Sequence, residues 1–260
     1  MLESLARLGY ASKALIYTIM GYLALAAATR TGGRVTDMYG ALRELLGNPL
    51  GRLLLVILAI GLWGYAAWRV LDAIKDPDRH GTSFKGLVVR IGNVVRALIY
   101  GGVGLEAMKL FRGLGASSGR EAQTWTAKLL EMPLGEWLVG ILGLIVLVYG
   151  VSEVIASFKS GYSDTLDVSP IPPGLRATAE RISAIGIGAR GVIISVAGGF
   201  LVRAALEKDP SEAHGVRDSI LYLVNATPGR WALVFVGVGF VCYAVDQAIH
   251  ARCRRIRPVI

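Results

Sequence analysis

The chain reads as an all-α integral membrane protein of six transmembrane helices, arranged as three parallel helical-hairpin repeats with short interfacial helices. Three observations carry that reading. The first is composition: 53% of the 260 residues are apolar, mean hydropathy is +0.52, and only 18% are charged, below the roughly 25% of a soluble domain. The second is a stretch that occurs three times, from Leu8 to Gly21, from Ile91 to Gly104 and from Ile185 to Gly198. Its frame is an aliphatic residue, Gly, three variable residues, a base, a small residue, two aliphatics and a closing Gly. The third is a companion pattern downstream of each copy. Gly51, Gly135 and Gly229 open a second apolar stretch, and Tyr65, Tyr149 and Tyr243 follow at one common distance. A repeat of this length fixes the architecture before any single helix is assigned.

Helix one covers residues 9–29 and is broken by Gly32-Gly33. Lys13 and the run to Ala28 imitate a secretory signal. Residues 8–21 match two internal segments that cannot be cleaved signals, so the first helix is expected to be retained. Residues 36–46 form a short amphipathic segment, too charged to span, with Thr36 as the expected N-cap. Helix two covers 50–74. The second unit repeats the order: helix three at 87–110, a glycine-rich link at 113–119, a short segment at 124–130 stopped by Pro133, and helix four at 134–158. Residues 159–174, with Pro170, Pro172 and Pro173, read as an extended linker. Helix five at 179–206, a short segment at 216–224 stopped by Pro228, and helix six at 229–251 complete the third unit. The repeats are bounded at 1–84, 85–174 and 175–260, within one membrane domain. An even hairpin returns the chain to its starting side, so the copies are parallel, related by an axis near the membrane normal.

The formal net charge is +9. With N-terminus, even-numbered loops and C-terminus on one side, that side holds 16 Lys+Arg and 9 acids against 12 and 10 on the other. The positive-inside rule then puts both termini in the cytoplasm, in a multi-pass protein of the cell (inner) membrane. The bases are spread among loops without interleaved aromatics, which argues against nucleic acid as a partner. Cys242 and Cys253 are about 16 Å apart along one helix, too far for a bond.

These residues resemble the bacterial membrane family catalogued as domain of unknown function 1206. The resemblance rests on the three Gly-x-x-x-(Lys/Arg)-small frames, the Gly starts with their later Tyr, and the link from Asp76 to Gly81 ending near Lys85-Gly86. It implies tandem two-helix units. It carries no activity and no catalytic residue.

Two sets of positions stand out. On the odd helices Ala14, Ala97 and Gly191 align, followed by Thr18, Gly101 and Ser195, then Gly21, Gly104 and Gly198. Steps of four and seven share one helical face, and in lipid such a face lets backbones approach closely. It is expected to be a helix-packing face rather than a substrate path. The second set is an expected polar layer. Lys13, Arg96 and Arg190 begin the odd helices, while Arg69, Glu153 and Gln247 align near the ends of the even ones, with Asp246 beside the last. Arg190 or Arg96 should pair with Glu153 or Asp246 across helices, because an unpaired charge in lipid is costly. Glu106, three before Lys109, reads as a local ion pair.

Chemistry finds little to use. His80, His214 and His250 cannot supply two facing haem ligands, and neither CxxCH nor a metal-ligand spacing occurs. G-x-S-x-G and phosphate loops are absent. No catalytic, cofactor-binding or metal residue is therefore assigned and no cofactor is expected. The expected function is that of a non-enzymatic integral membrane protein, an accessory or structural subunit whose partners are the lipid bilayer and other membrane proteins. The alternative is a small transporter or channel with a path between the repeats, its small-molecule substrate unspecified. A midplane cavity lined by Glu153 or Asp246 separates the two readings.

Overall fold

Among the described residues, nine α-helices follow one another in a computed structural model that describes residues 2–75, 81, 84–114, 121–158, 166–167, 169–226 and 229–254. They are α1 (Leu2–Thr29), α2 (Met38–Glu44), α3 (Gly51–Lys75), α4 (Phe84–Phe111), α5 (Glu121–Leu130), α6 (Gly135–Ser157), α7 (Pro173–Glu207), α8 (Val216–Ala226) and α9 (Gly229–Cys253). Among the described residues there is no strand, only a single bridge between Leu166 and Arg254. The link at 76–80, residues 115–119 of the link expected at 113–119, residues 159–165 of the linker expected at 159–174, the stop at 227–228 and the tail at 255–260 lie outside the described residues.

Among the described residues, five helices are long and apolar enough to cross a membrane: α1, α3, α6, α7 and α9. α4, the expected helix three, falls short of that mark, carrying Lys85, Arg90, Arg96, Glu106 and Lys109 among its apolar residues. Two helices run longer than expected. α1 starts a full two turns early, and α7 begins at Pro173 inside the expected linker. Proline suits a first helical turn, whose N–H has no intrahelical partner.

The threefold pattern reaches into the helix ends. α1 closes on Arg30 in the left-handed conformation, with Arg30 N–H on Ala27 O and Thr31 N–H on Ala26 O. α4 closes in the same way on Gly113, donating to Leu110 O while Leu114 donates to Lys109 O. α7 closes on a left-handed Lys208. This reversal satisfies the last carbonyls and turns the chain. Asp37, not the expected Thr36, caps α2: its carboxylate accepts from Gly40 N–H at 2.8 Å. Thr36 is buried against Gly40 instead.

The long helices pack in the order α1, α3, α4 and, separately, α6, α7, α9, with α9 returning to α1. In the closest pairs an odd helix meets the even helix of the unit before it: α4 on α3, α7 on α6, α1 on α9. The closing glycine of each frame makes that contact. A side chain at Gly21 would meet Gly237 O and Val241, at Gly104 the Trp63 ring, and at Gly198 Gly143 O and Leu147. Gly191 lies against Gly150, and Ser195 bonds Gly191 O at 2.8 Å. Ala97 is buried and Gly101 O accepts from the Trp63 indole at 3.3 Å, but Thr18 is exposed and bonds only Ala14 O of its own helix, so it lies off the packed face. Glu106 is buried and lies 3.8 Å from Lys109.

Candidate functional site

The frame's base sits one turn after its first glycine, and the companion tyrosine lies on the neighbouring even helix. Three copies of that geometry bring their base and tyrosine to one cavity, of about 340 Å³. Lys13, Arg69, Arg96, Glu153, Arg190, Asp246 and Gln247 all face it, so the structure brings together every residue of the expected polar layer.

Lys13 is buried and bonds the Tyr65 hydroxyl at 3.3 Å. Its ammonium lies over the rings of Tyr65 and Tyr100, 4.5 and 4.7 Å from their centroids. Such faces attract a desolvated cation. Arg69 is held on all sides: it donates to Asp72 at 2.7 Å, to the Tyr65 hydroxyl at 2.9 Å and to the Tyr10 hydroxyl at 2.8 Å. Asn93 joins this group to the next, donating to Asp72 at 3.0 Å and accepting from Arg96 at 3.1 Å.

Around Glu153 the second and third units meet. Arg190 on α7 and the Tyr149 hydroxyl both donate to its carboxylate. Arg96 on α4 lies 3.9 Å from it and donates to Tyr149 at 2.8 Å. Arg190 also bonds Tyr17 of α1 at 3.2 Å. One buried carboxylate between two guanidiniums leaves a single positive charge over, and its loss would leave both without a counter-ion. Asp246 takes a different partner, its neighbour Gln247 at 2.8 Å, with His250 Nδ1 3.5 Å away.

Several lining residues escaped the sequence reading: Tyr10, Asp72, Asn93, Tyr100, His250 and Arg254. A signal for some was present. Tyr10 and Asn93 occupy one column of the repeat, three before the base. Tyr17 and Tyr100 occupy another, four after it. Asp72 and His250 stand seven after their tyrosines. Columns of hydrogen-bonding residues one turn either side of a buried base mark the same helix face.

The threefold pattern has one break. α1 packs on α3 and α7 on α9 within their own units, but among the described residues α4 and α6 have no comparable packing. The first glycine of each frame records the difference. At Gly9 a side chain would strike Gly61 O and Tyr65, and at Gly186 the backbone of Cys242 and Tyr243. At Gly92 it would meet only the Arg96 guanidinium, 3.9 Å away. Tyr65 and Tyr243 are buried, whereas Tyr149 is half-buried. The Arg96 side chain is 27% exposed, that of Arg190 10%.

Long apolar helices, an internal triplication and a chamber lined by polar side chains define a multi-pass membrane protein built of repeats. The family model described as Domain of Unknown Function (DUF1206) matches residues 8–76, 91–160 and 185–254. The chain belongs to that family. It is 32% identical over 244 residues to the Bacillus subtilis (strain 168) protein described as uncharacterized protein YxxB, covering 94% of this chain and 88% of that one. No solved structure matches.

Proposed function

We propose that the protein is a six-span, non-enzymatic membrane protein whose three repeats enclose a solute-binding chamber, and that it works as a small transporter. The supporting observation is the cavity of about 340 Å³ lined by both Glu153 and Asp246. Its depth adds to this. Lys13 lies about 16 Å along α1 from Leu2 at 1.5 Å per residue, in a helix of 28 residues that reaches about 42 Å, so a hydrocarbon layer of roughly 30 Å centred on that helix would contain it. Titratable groups at such depth mark substrate or ion pathways more often than they mark structure. α4 is counted as the sixth span because its 28 residues reach about 42 Å and it packs along α3 as α1 and α7 pack along α9 and α6.

The accessory-subunit reading rests on a different feature, the outer face of α6, where Trp137, Leu138, Ile141, Ile145 and Val148 are exposed. Lipid covers such a face as well as a partner protein does, so the chamber weighs more. The test is reconstitution into proteoliposomes and uptake of a panel of labelled small solutes. Uptake that falls in Glu153→Gln supports transport. Absence of both uptake and solute-dependent stabilisation across the panel, with a stoichiometric membrane protein retained through gentle purification, would establish the subunit reading instead.

A further inference from the structure

The chamber's uncompensated charge and its unpacked side speak to what it holds and how that solute arrives. Arg69 is matched by Asp72, and Arg96 and Arg190 share Glu153. Lys13 has no carboxylate within 4 Å among the described residues, although it is only 3% exposed, and Asp246, which lines the same cavity, accepts from Gln247 instead. An ammonium carries three donors, and the hydroxyl of Tyr65 takes one. A buried charge with neither counter-ion nor full hydrogen bonding is expensive, and the tyrosine rings offset only part of that cost. Two further atoms lining the same cavity lack partners among the described residues. They are the Tyr100 hydroxyl, on a residue 2% exposed, and Gln247 Oε1, on one 4% exposed. A spare cationic donor and a spare hydroxyl suit the oxygens of an anion. A spare acceptor suits an O–H or N–H beside them.

We infer that the chamber binds an oxyanion, a carboxylate or phosphate group, against Lys13 and Tyr100, and that the anion arrives sideways between α4 and α6. This rests on the solute-chamber reading above. The route follows from the broken repeat. In the first and third units the frame glycine is covered by the companion helix, and in the second it faces only Arg96. The polar bridge from Arg96 to Tyr149 and Glu153 spans that side in place of helix packing. It consists of side chains that rotate, so it forms a gate rather than a wall.

The test uses the full chain in nanodiscs of phosphatidylcholine, titrated with acetate or inorganic phosphate at constant ionic strength against chloride. A second set of discs contains phosphatidylglycerol. The oxyanion should raise the melting temperature, Lys13→Met should abolish the rise, and Tyr100→Phe should weaken apparent affinity about tenfold, as for one hydrogen bond to a charged group. A rise with acetate or phosphate identifies a soluble oxyanion; a rise confined to phosphatidylglycerol discs identifies a lipid headgroup. No anion-dependent rise, or an equal rise in Lys13→Met, overturns the inference. If Lys13→Met does not fold, Tyr100→Phe, which removes a single oxygen, decides alone. Stabilisation by cationic or uncharged solutes only would overturn the anion while leaving the solute chamber standing. For the route, Gly92→Trp should slow binding at least tenfold with the same end-point, and an unchanged rate would exclude a side entrance.

Discussion

Glu153 is the residue on which the second and third units depend most directly. Its carboxylate receives Arg190 and Tyr149 and lies 3.9 Å from Arg96, so one side chain ties α6 to both α7 and α4. Glu153→Gln keeps the shape but leaves two guanidiniums without a counter-charge. Breaking a buried pair in this way costs about 3–5 kcal/mol, and the residual exposure of Arg96 places the expected loss at the lower end. Thermal melting in detergent should show a drop of several degrees. An unchanged melting profile would mean that water inside the cavity screens the pair and that Glu153 serves the solute alone. Arg7 offers a contrast at the periphery. It donates to the carbonyls of Ala251 at 2.9 Å and Arg252 at 2.5 Å, closing the end of α9 by a side chain where no glycine follows. An arginine there also faces the negative end of the helix dipole.

At the scale of helices, the frame glycines give a comparison that the repeat itself controls. Gly186→Ala would set its methyl 2.6 Å from Tyr243 Cα and 2.7 Å from the Cys242 carbonyl carbon. Backbone cannot yield as a side chain can, so α7 and α9 must separate and the protein should lose several degrees of melting temperature. Gly9→Ala, 2.6 Å from Gly61 O, should behave alike. Gly92→Ala meets no backbone and should be neutral or stabilising by about 0.5–1 kcal/mol, the helical gain of alanine over glycine. Equal losses at all three would show that α4 and α6 close in the membrane. Much of this level was legible in the sequence. The frame predicted the helices, and the steps of four and seven predicted a packing face, because small side chains at one face have few other uses in lipid. What could not be read was which helix each face meets. Gly9, Gly92 and Gly186 hold the same place in the frame, yet only two are covered, since the gap depends on where α6 sits. Similarly, Lys13, Arg96 and Arg190 look interchangeable along the chain. Only in space does it emerge that Glu153 serves two of them and tyrosines serve the third.

For the whole molecule the open question of physical consequence is which way the chamber faces. Its lining lies toward the end that carries both chain termini, where Arg7 meets the last turn of α9 and Leu166 bridges Arg254. The opposite end carries the short helices, where Gln123 bonds Ser211 O at 3.2 Å and Lys208 pairs with Glu136 at 2.5 Å. Asp209 sits there too, its carboxyl held below the ordinary value by the Ser211 amide. The excess of bases falls on the terminal end, 16 against 12, and bases near helix ends resist translocation while acids contribute little. Orientation therefore predicts a chamber seated toward the cytoplasm. Two glycines allow the check without strain, since a side chain at Gly47 or Gly174 meets nothing within 4 Å. Gly47 belongs to the end with the short helices and Gly174 to the end with the termini. With Cys242 and Cys253 replaced by alanine, a membrane-impermeant thiol reagent applied to intact cells should label Gly47→Cys and spare Gly174→Cys. After the cells are broken open both should react. Labelling of Gly174→Cys in intact cells would invert the protein, and a chamber facing outward would then draw its solute from the external leaflet or medium.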